Sequence, residues 1–284
     1  MREQDILARC AAGALSPPLA LMRLMLASPN EAAARRALDE ALQSAQAGGR
    51  KKLEAVHHLW AETPGCFALV KRVGEAGPGH AVEDWRTLFD RAAAVSPEAG
   101  VALYSLGRPD LLEEATAELV AFLAGRGLLA PDASVLDWGC GIGRVAGALS
   151  AHVAHVAGLD LSAAMIAEAR RRVGAPNVEF AQGDGRTLAP LPDGAFDLVL
   201  AIDMVPYLVA AGADVLDANL REAWRVLRAS GRLLVFNFSY RGDDALDRAD
   251  AARLAAQIGF RLLANGERLL RMWDGALFEF ERDA

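Results

Sequence analysis

The sequence predicts an α/β protein: a doubly wound, seven-stranded, mostly parallel sheet preceded by an α-helical N-terminal cap subdomain. Three observations lead there. From Val135 onward, short apolar runs alternate with stretches at helical spacing, the pattern of repeated βαβ units. The first of those runs ends in a glycine-rich turn, V-L-D-W-G-C-G-I-G over Val135 to Gly143, and Arg144 opens a helix behind it. Before about Ala130 no strand alternation of useful length occurs, so residues 1–103 are expected as a helical cap and 104–284 as the sheet domain.

With 284 residues, 53% of them hydrophobic, the chain can bury one large core or two modest ones. The net charge is -7, and no basic block is longer than Arg50-Lys51-Lys52 or Arg170-Arg171-Arg172. A nucleic-acid partner needs a concentrated positive face, so none is expected. Cys10, Cys66 and Cys140 are an odd number without metal-ligand spacing, which fits a reducing compartment and predicts no metal site. Glu3, Asp5 and Arg9 come early and Arg23 interrupts the apolar run, so the N-terminus reads as neither signal peptide nor membrane span. A soluble cytoplasmic protein without a membrane partner is expected. A homodimer stays open.

The N-terminal helices follow from punctuation. Residues 3 to 15 are apolar at Ile6, Leu7, Cys10, Ala11 and Leu15, near helical spacing. Ser16 before Pro17-Pro18 reads as an N-cap with proline in the first turn, and the helix runs to Leu26. Ser28-Pro29-Asn30-Glu31 starts a third helix, expected to reach Gln46 and to end at Gly48-Gly49. A fourth is expected over Lys51 to Ala61, broken by Pro64-Gly65, with shorter pieces at 66 to 74 and 81 to 94. The stretch Gly74 to Gly79 is the best candidate for an exposed loop. Leu111, Leu112, Ala115, Leu119, Phe122 and Leu123 form one helical face between Pro109 and Arg126, suited to packing on a sheet. His57 and His58 are adjacent, so one is expected to face inward and the other solvent. Either could serve as a base in a pocket beneath the cap, lined by Trp60, Trp85 and Phe89; core packing of these aromatics is the plainer alternative.

The glycine turn decides the chemistry. Glycines at alternate positions permit φ > 0 and close approach of a ligand to backbone N–H groups at a helix N-terminus. Gly141, Gly143 and Ala146 also satisfy the loose dinucleotide pattern G-x-G-x-x-G/A, with Asp160 about 20 residues on. Asp137 separates the two readings. A carboxylate beneath the turn would repel a pyrophosphate and attract the ammonium of a cofactor bearing an amino acid. The arrangement D-x-G-x-G-x-G resembles the first motif of class I S-adenosylmethionine-dependent methyltransferases of small-molecule type, whose sheet is Rossmann-like. The resemblance covers about Tyr104 to Arg282. It implies S-adenosylmethionine as cofactor, held by Asp137, Gly139, Cys140, Gly141 and Gly143, with Tyr104 over the methionine end. Cys140 is expected to serve through its backbone N–H rather than its thiol, since no base is near it in sequence.

The later strands end in acids in the order that this resemblance implies. His155 to Leu159 is a short strand ending at Asp160, an acceptor for a ribose diol; Leu161 follows, and Ser162 can cap the helix from Ala163 to Val173. Met165, one turn in, can lie against adenine or simply pack in the core. Val178 to Gln182 is a third strand, and Asp184 with Gly185 offers a carboxylate and an N–H to an adenine edge, or else forms a surface turn. Phe196 to Ile202 is an apolar run of the kind buried on both faces. The loop after it brings Asp203 and Tyr207, which by the resemblance line the active site, Asp203 also touching the cofactor. A helix over 213 to 228, a strand from Arg232 to Phe238, a helix over 244 to 258 capped by Gly259, and two β runs at Phe260 to Leu263 and Ala276 to Glu281 complete the sheet. By the resemblance the last strand is antiparallel, and the 266 to 274 loop should join the same edge.

The implied reaction is methyl transfer to a small-molecule acceptor with an O, N, S or C nucleophile. If the acceptor needs a base, Asp203, Tyr207, His57 and His58 are the candidates. Two alternatives stand beside it. One is a catalytically inactive S-adenosylmethionine-binding regulatory subunit. The other is an NAD(P)-dependent oxidoreductase, which Asp137 disfavours and which has no Tyr-x-x-x-Lys pair, there being no lysine after Lys71.

Overall fold

A computed structural model describes residues 1–74 and 81–283. From residue 75 on, the loop expected at Gly74 to Gly79 lies outside the described residues. The chain packs as two compact units, Met1–Gly77 with Ala92–Ala115 and Leu270–Asp274, and Pro78–Arg91 with Thr116–Leu269 and Gly275–Ala284. It passes between them at several places.

The first unit is helical: α1 (Glu3–Ala12), α2 (Pro17–Ala27), α3 (Glu31–Ser44), α4 (Ala47–Glu62) and α5 (Cys66–Gly74). Ser16 caps α2 by accepting the Leu19 N–H, and Asn30 caps α3 through the Ala33 N–H. The glycine pair does not end α3. The break falls at Ala45 and Gln46, both extended, and Gly48-Gly49 lies in the first turn of α4, where close packing of Gly49 on Ala11 overrides a low helix propensity. Leu270–Asp274 joins this unit through the Ser16 hydroxyl, which donates to the Met272 carbonyl at 2.8 Å, and through an Arg23–Asp274 ion pair at 2.7 Å. Helices α6 (Val82–Val95) and α8 (Pro109–Gly125) run from one unit into the other, with α7 (Pro97–Val101) and a 3-10 turn (Leu103–Ser105) between them.

The second unit is built on β1 (Ser134–Trp138), α9 (Arg144–Leu149), β2 (His155–Asp160), α10 (Ala163–Arg172), β3 (Val178–Gln182), β4 (Phe196–Ile202), α11 (Val205–Ala211), α12 (Ala213–Val226), β5 (Leu227–Phe236), α13 (Asp244–Ile258), β6 (Phe260–Arg268) and β7 (Ala276–Arg282). The seven strands lie in the order β3-β2-β1-β4-β5-β7-β6, with β7 antiparallel to both neighbours. Leu136, Val199, Leu200, Leu233, Leu234 and Val235 are at 0% exposure, as expected of parallel strands covered on both faces. Two elements depart from expectation. Residues 205–211, expected as loop, form α11 because Pro206 sits in its first turn with φ already set for helix. Strand β6 runs to Arg268 because a register shift between Asn265 and Glu267, with Gly266 at φ 89°, absorbs the turn residue.

Candidate active site

The order of strands leaves a crevice at the C-terminal ends of β1 and β4, where connections diverge to opposite sides. The glycine turn fills the bottom of it. Gly139 and Gly143 have φ 80° and 75°, and added Cβ atoms would stand 2.8 Å from Met204 Cβ and 2.7 Å from Phe180 Cζ, so both positions admit glycine only. The N–H groups of Gly139 and Cys140 both donate to the Leu159 carbonyl, at 2.7 and 3.0 Å. This corrects the role expected of Cys140: its N–H ties the turn to the end of β2 and does not face a ligand. Burial pushes its thiol well above the usual range, so it is not a nucleophile.

Two carboxylates brace this turn. Asp137, 2% exposed, accepts the Ala146 N–H in the first turn of α9 at 3.1 Å. Burial raises its pKa to about 7, outweighing Arg144 and that hydrogen bond, which lower it. Its other oxygen has no hydrogen-bond partner among the described residues. Asp137 therefore holds the helix start from below, a structural duty that the sequence pattern did not announce. Asp160 accepts the Gly141 N–H on one oxygen and the Ser162 N–H on the other, both at 2.8 Å. Each carboxylate oxygen keeps a second lone pair. Burial raises its pKa despite these bonds.

Further along the edge, Asp184 is exposed and caps the Arg186 and Thr187 N–H groups at 2.8 and 2.9 Å, the turn alternative. Leu161 lies beside Gly185, its Cδ1 3.1 Å from where a Cβ would stand. Met165 is 1% exposed, the core-packing alternative, and its N–H donates to the Ser162 hydroxyl at 3.1 Å. At the end of β4, Asp203 adopts φ 54° and accepts hydrogen bonds from Asn237 Nδ2 at 2.6 Å and the Tyr240 hydroxyl at 2.9 Å. Tyr207, on α11, stands edge-on to Phe89, Trp85 and Tyr240, with centroid separations of 5.1, 5.7 and 6.0 Å. Its hydroxyl is driven far above its ordinary range by burial and by the charge of Asp203.

The largest surprise is residues 82–91 of α6, which pack on this edge across three loops. Asp90 accepts the Ser162 hydroxyl at 2.5 Å and the Ala164 N–H at 3.2 Å, Glu83 pairs with Arg186 at 2.9 Å, and Val82 lies against Gly185. The spacing of Val82, Trp85 and Phe89 was the available signal. Trp60 does not join Trp85 and Phe89; it is in the first unit, buried under Arg35, whose guanidinium stands 4.2 Å from the ring centroid.

The remaining candidates lie in the first unit. His57 and His58 are both exposed, correcting the expectation that one faces inward. The buried stripe of α4 is Leu53, Val56, Leu59 and Trp60, and both histidines fall off it, into a surface depression with Asp39, Arg50 and Glu54. Tyr104 is 4% exposed within the 3-10 turn. Among the described residues no cluster of His, Cys, Asp and Glu is placed to hold a metal ion, and no helix is long and apolar enough to cross a membrane.

The seven-stranded sheet with its antiparallel last strand, and the glycine turn beneath it, have the fold of a class I S-adenosylmethionine-dependent methyltransferase domain. Residues 136–235 match the family described as "Methyltransferase domain". Among curated proteins, the ubiquinone/menaquinone biosynthesis C-methyltransferase of Methylobacterium nodulans is 39% identical over 100 residues, 33% of this chain and 36% of that protein. The 27-O-demethylrifamycin SV methyltransferase of Amycolatopsis mediterranei is 33% identical over 148 residues, 50% of this chain and 52% of that protein. The chain thus spans between about a third and about half of the length of these two relatives. Among solved structures, the putative methyltransferase bound to the Trm112 activator of Haloferax volcanii superposes with a TM-score of 0.52 at 18% identity, covering 69% of this chain and 98% of that one. A putative S-adenosylmethionine-dependent methyltransferase of Methanococcus maripaludis gives 0.52 at 15% identity over 69% and 94%. These two likenesses concern the fold.

S-adenosylmethionine is the cofactor of this class of domain. The side chains at the crevice fit it: a buried carboxylate with an unbonded oxygen suits an ammonium, and an acid with spare lone pairs beside a glycine turn suits a diol.

Proposed function

We propose that this protein transfers the methyl group of S-adenosylmethionine to a small-molecule acceptor by in-line displacement. The observation that carries the reading is the Asp160–Gly141 hydrogen bond, which joins an acid at the end of β2 to the glycine turn at the end of β1. That pairing builds a diol-accepting site next to a backbone surface stripped of side chains. The cofactor, when bound, supplies an activated methyl group on a sulfonium. The chain then has to orient the acceptor and exclude water. Gly139, Gly141 and Gly143 give close approach, Asp160 takes the ribose diol, and Asp137 offsets the ammonium charge. Leu161, Asp184 and Gly185 are proposed to border the adenine.

Asp203 is the proposed base or orienting group for an acceptor hydroxyl or ammonium. Its hydrogen bonds from Asn237 and Tyr240 fix where the carboxylate points. Tyr207 is proposed as a wall and a hydrogen-bond donor: with its pKa raised, the phenol stays protonated at neutral pH and cannot act as a base. The net charge of -7 and the acids along this edge favour a small molecule over a polynucleotide. The test is a screen of metabolite fractions with isotope-labelled S-adenosylmethionine, read by mass spectrometry. A labelled product supports the reading, and binding without transfer to any fraction supports a regulatory subunit instead.

A further inference from the structure

Among the described residues, Tyr240 is the one Phe, Tyr or Trp that is exposed, at 57%. Exposed side chains ordinarily sample several rotamers. This one is fixed at two points: its hydroxyl donates to Asp203 Oδ1 at 2.9 Å, and its ring meets Tyr207 in a T-shaped contact with centroids 6.0 Å apart. All three residues belong to the second unit. An open aromatic surface is thus held beside a carboxylate at the end of β4.

The surroundings suit a positive charge better than an acceptor that must surrender a proton to the protein. Asp203 Oδ1 accepts from Asn237 at 2.6 Å as well as from Tyr240, which fills both lone pairs of that oxygen. Tyr207 stays protonated, because burial and the charge of Asp203 raise its hydroxyl pKa. Arg241, next in sequence to Tyr240, is turned to Asp247 and Asp250, at 2.6 and 2.7 Å. The ring of Tyr240 therefore presents a negative π face in the field of an anion. The hydrogen bond from its hydroxyl to that anion pushes further electron density into the ring.

We propose that the methyl acceptor is an amine, docked with its positive end on the exposed ring of Tyr240 and in the field of Asp203. This names the acceptor class for the transfer reading above and rests on that reading. Bound as an ammonium, the acceptor sheds one proton to water. The lone pair of the neutral nitrogen then forms the new C–N bond as the C–S bond breaks and leaves its electron pair on sulfur. Positive charge passes from sulfur to nitrogen, so the anion and the π face that attract the substrate also stabilise the charge developing on it. A hydroxyl acceptor gains nothing comparable, since no positive charge is left on its oxygen once its proton is removed.

The experiment incubates the full chain with isotope-labelled S-adenosylmethionine and a metabolite extract split by cation exchange into retained cations and an unretained neutral and anionic pool, with products read by mass spectrometry. Label should appear on nitrogen in a compound from the retained pool. For the acceptor so identified, Tyr240→Leu should raise KM about 3- to 30-fold. Tyr240→Phe keeps the π face and loses the hydroxyl, so its KM should stay within about threefold of wild type while kcat falls. Labelled products confined to the unretained pool would overturn the amine assignment. Equal KM in the two variants would overturn the role of the ring, and loss of S-adenosylhomocysteine binding in both would show a merely structural residue and do the same. Wild-type protein that binds S-adenosylhomocysteine yet labels neither pool would overturn the transfer reading itself, and this inference with it.

Discussion

Asp203 and Asn237 end the adjacent strands β4 and β5 in the same left-handed backbone conformation, φ 54° and 62°, joined by a 2.6 Å hydrogen bond from Asn237 Nδ2 to Asp203 Oδ1. Left-handed backbone is costly for most side chains and tolerated by Asp and Asn. Asn237 is also anchored to β7: its N–H donates to the Ala276 carbonyl at 2.9 Å, and its Oδ1 accepts the Ala276 N–H at 3.2 Å. The side chain of Asp203 is thereby aimed by two strands that it does not belong to. Asn237→Ala should lose about 2 kcal/mol of stability in urea denaturation, combining the lost hydrogen bonds with backbone strain. Asn237→Gly, which loses the same side-chain hydrogen bonds but relieves the strain, should recover part of that, and equal losses in the two variants would show that the backbone conformation contributes nothing.

Asp160→Ala should weaken S-adenosylmethionine binding by about 1.5 to 3 kcal/mol, roughly 10- to 150-fold, through loss of charge-assisted hydrogen bonds. Because Asp160 also holds the Gly141 and Ser162 N–H groups, the thermal stability of the unliganded variant serves as the control for turn integrity. Unchanged affinity in titration calorimetry of Asp160→Ala would remove it from the diol site.

Asp137 makes binding depend on pH. Its pKa is raised to about 7 from an ordinary value of 3.8, so the folded protein holds a proton that the unfolded chain has released between those values. Stability from this group is therefore present below about pH 4 and declines as pH rises toward 7. A bound ammonium favours the ionised carboxylate, so cofactor binding near pH 6 should release a proton and tighten as pH approaches 7. Calorimetry in buffers of different ionisation enthalpy measures that release directly. Asp137→Asn should abolish it, and an identical proton count in both proteins would assign it to another group.

Much of the fold was legible because the later half of the chain obeys local rules. The β1 turn, the acid endings of β2 and β4 and the Ser162 cap are each fixed by residues within a few positions of one another. What escaped was long-range. The spacing of Val82, Trp85 and Phe89 marks an apolar helix face but does not say that it packs on the edges of β2, β3 and β4, and the Cys140 N–H is taken by a carbonyl 19 positions away. His57 and His58 were misplaced because adjacency on a helix guarantees different directions, not that either direction is inward.

Glu279 is at 0% exposure and is clamped by Arg126 and Arg232. Removing Glu279 leaves two arginines, each about a third exposed, without their shared acid, so solvent screens part of the loss. Glu279→Ala should cost about 1 to 3 kcal/mol in chemical denaturation, while Glu279→Gln, which keeps the shape and some hydrogen bonding, should cost less. A loss below about 1 kcal/mol for the alanine variant would place this cluster among solvent-screened surface pairs.

The central claim is tested most directly by incubating wild-type protein and Asp160→Ala with isotope-labelled S-adenosylmethionine and a fractionated metabolite extract, then following label into products by mass spectrometry. The account predicts a labelled small molecule with the wild type and at least a tenfold slower appearance with the variant at limiting cofactor. Tight binding of NAD in place of S-adenosylmethionine, or no labelled product from any fraction, would contradict it.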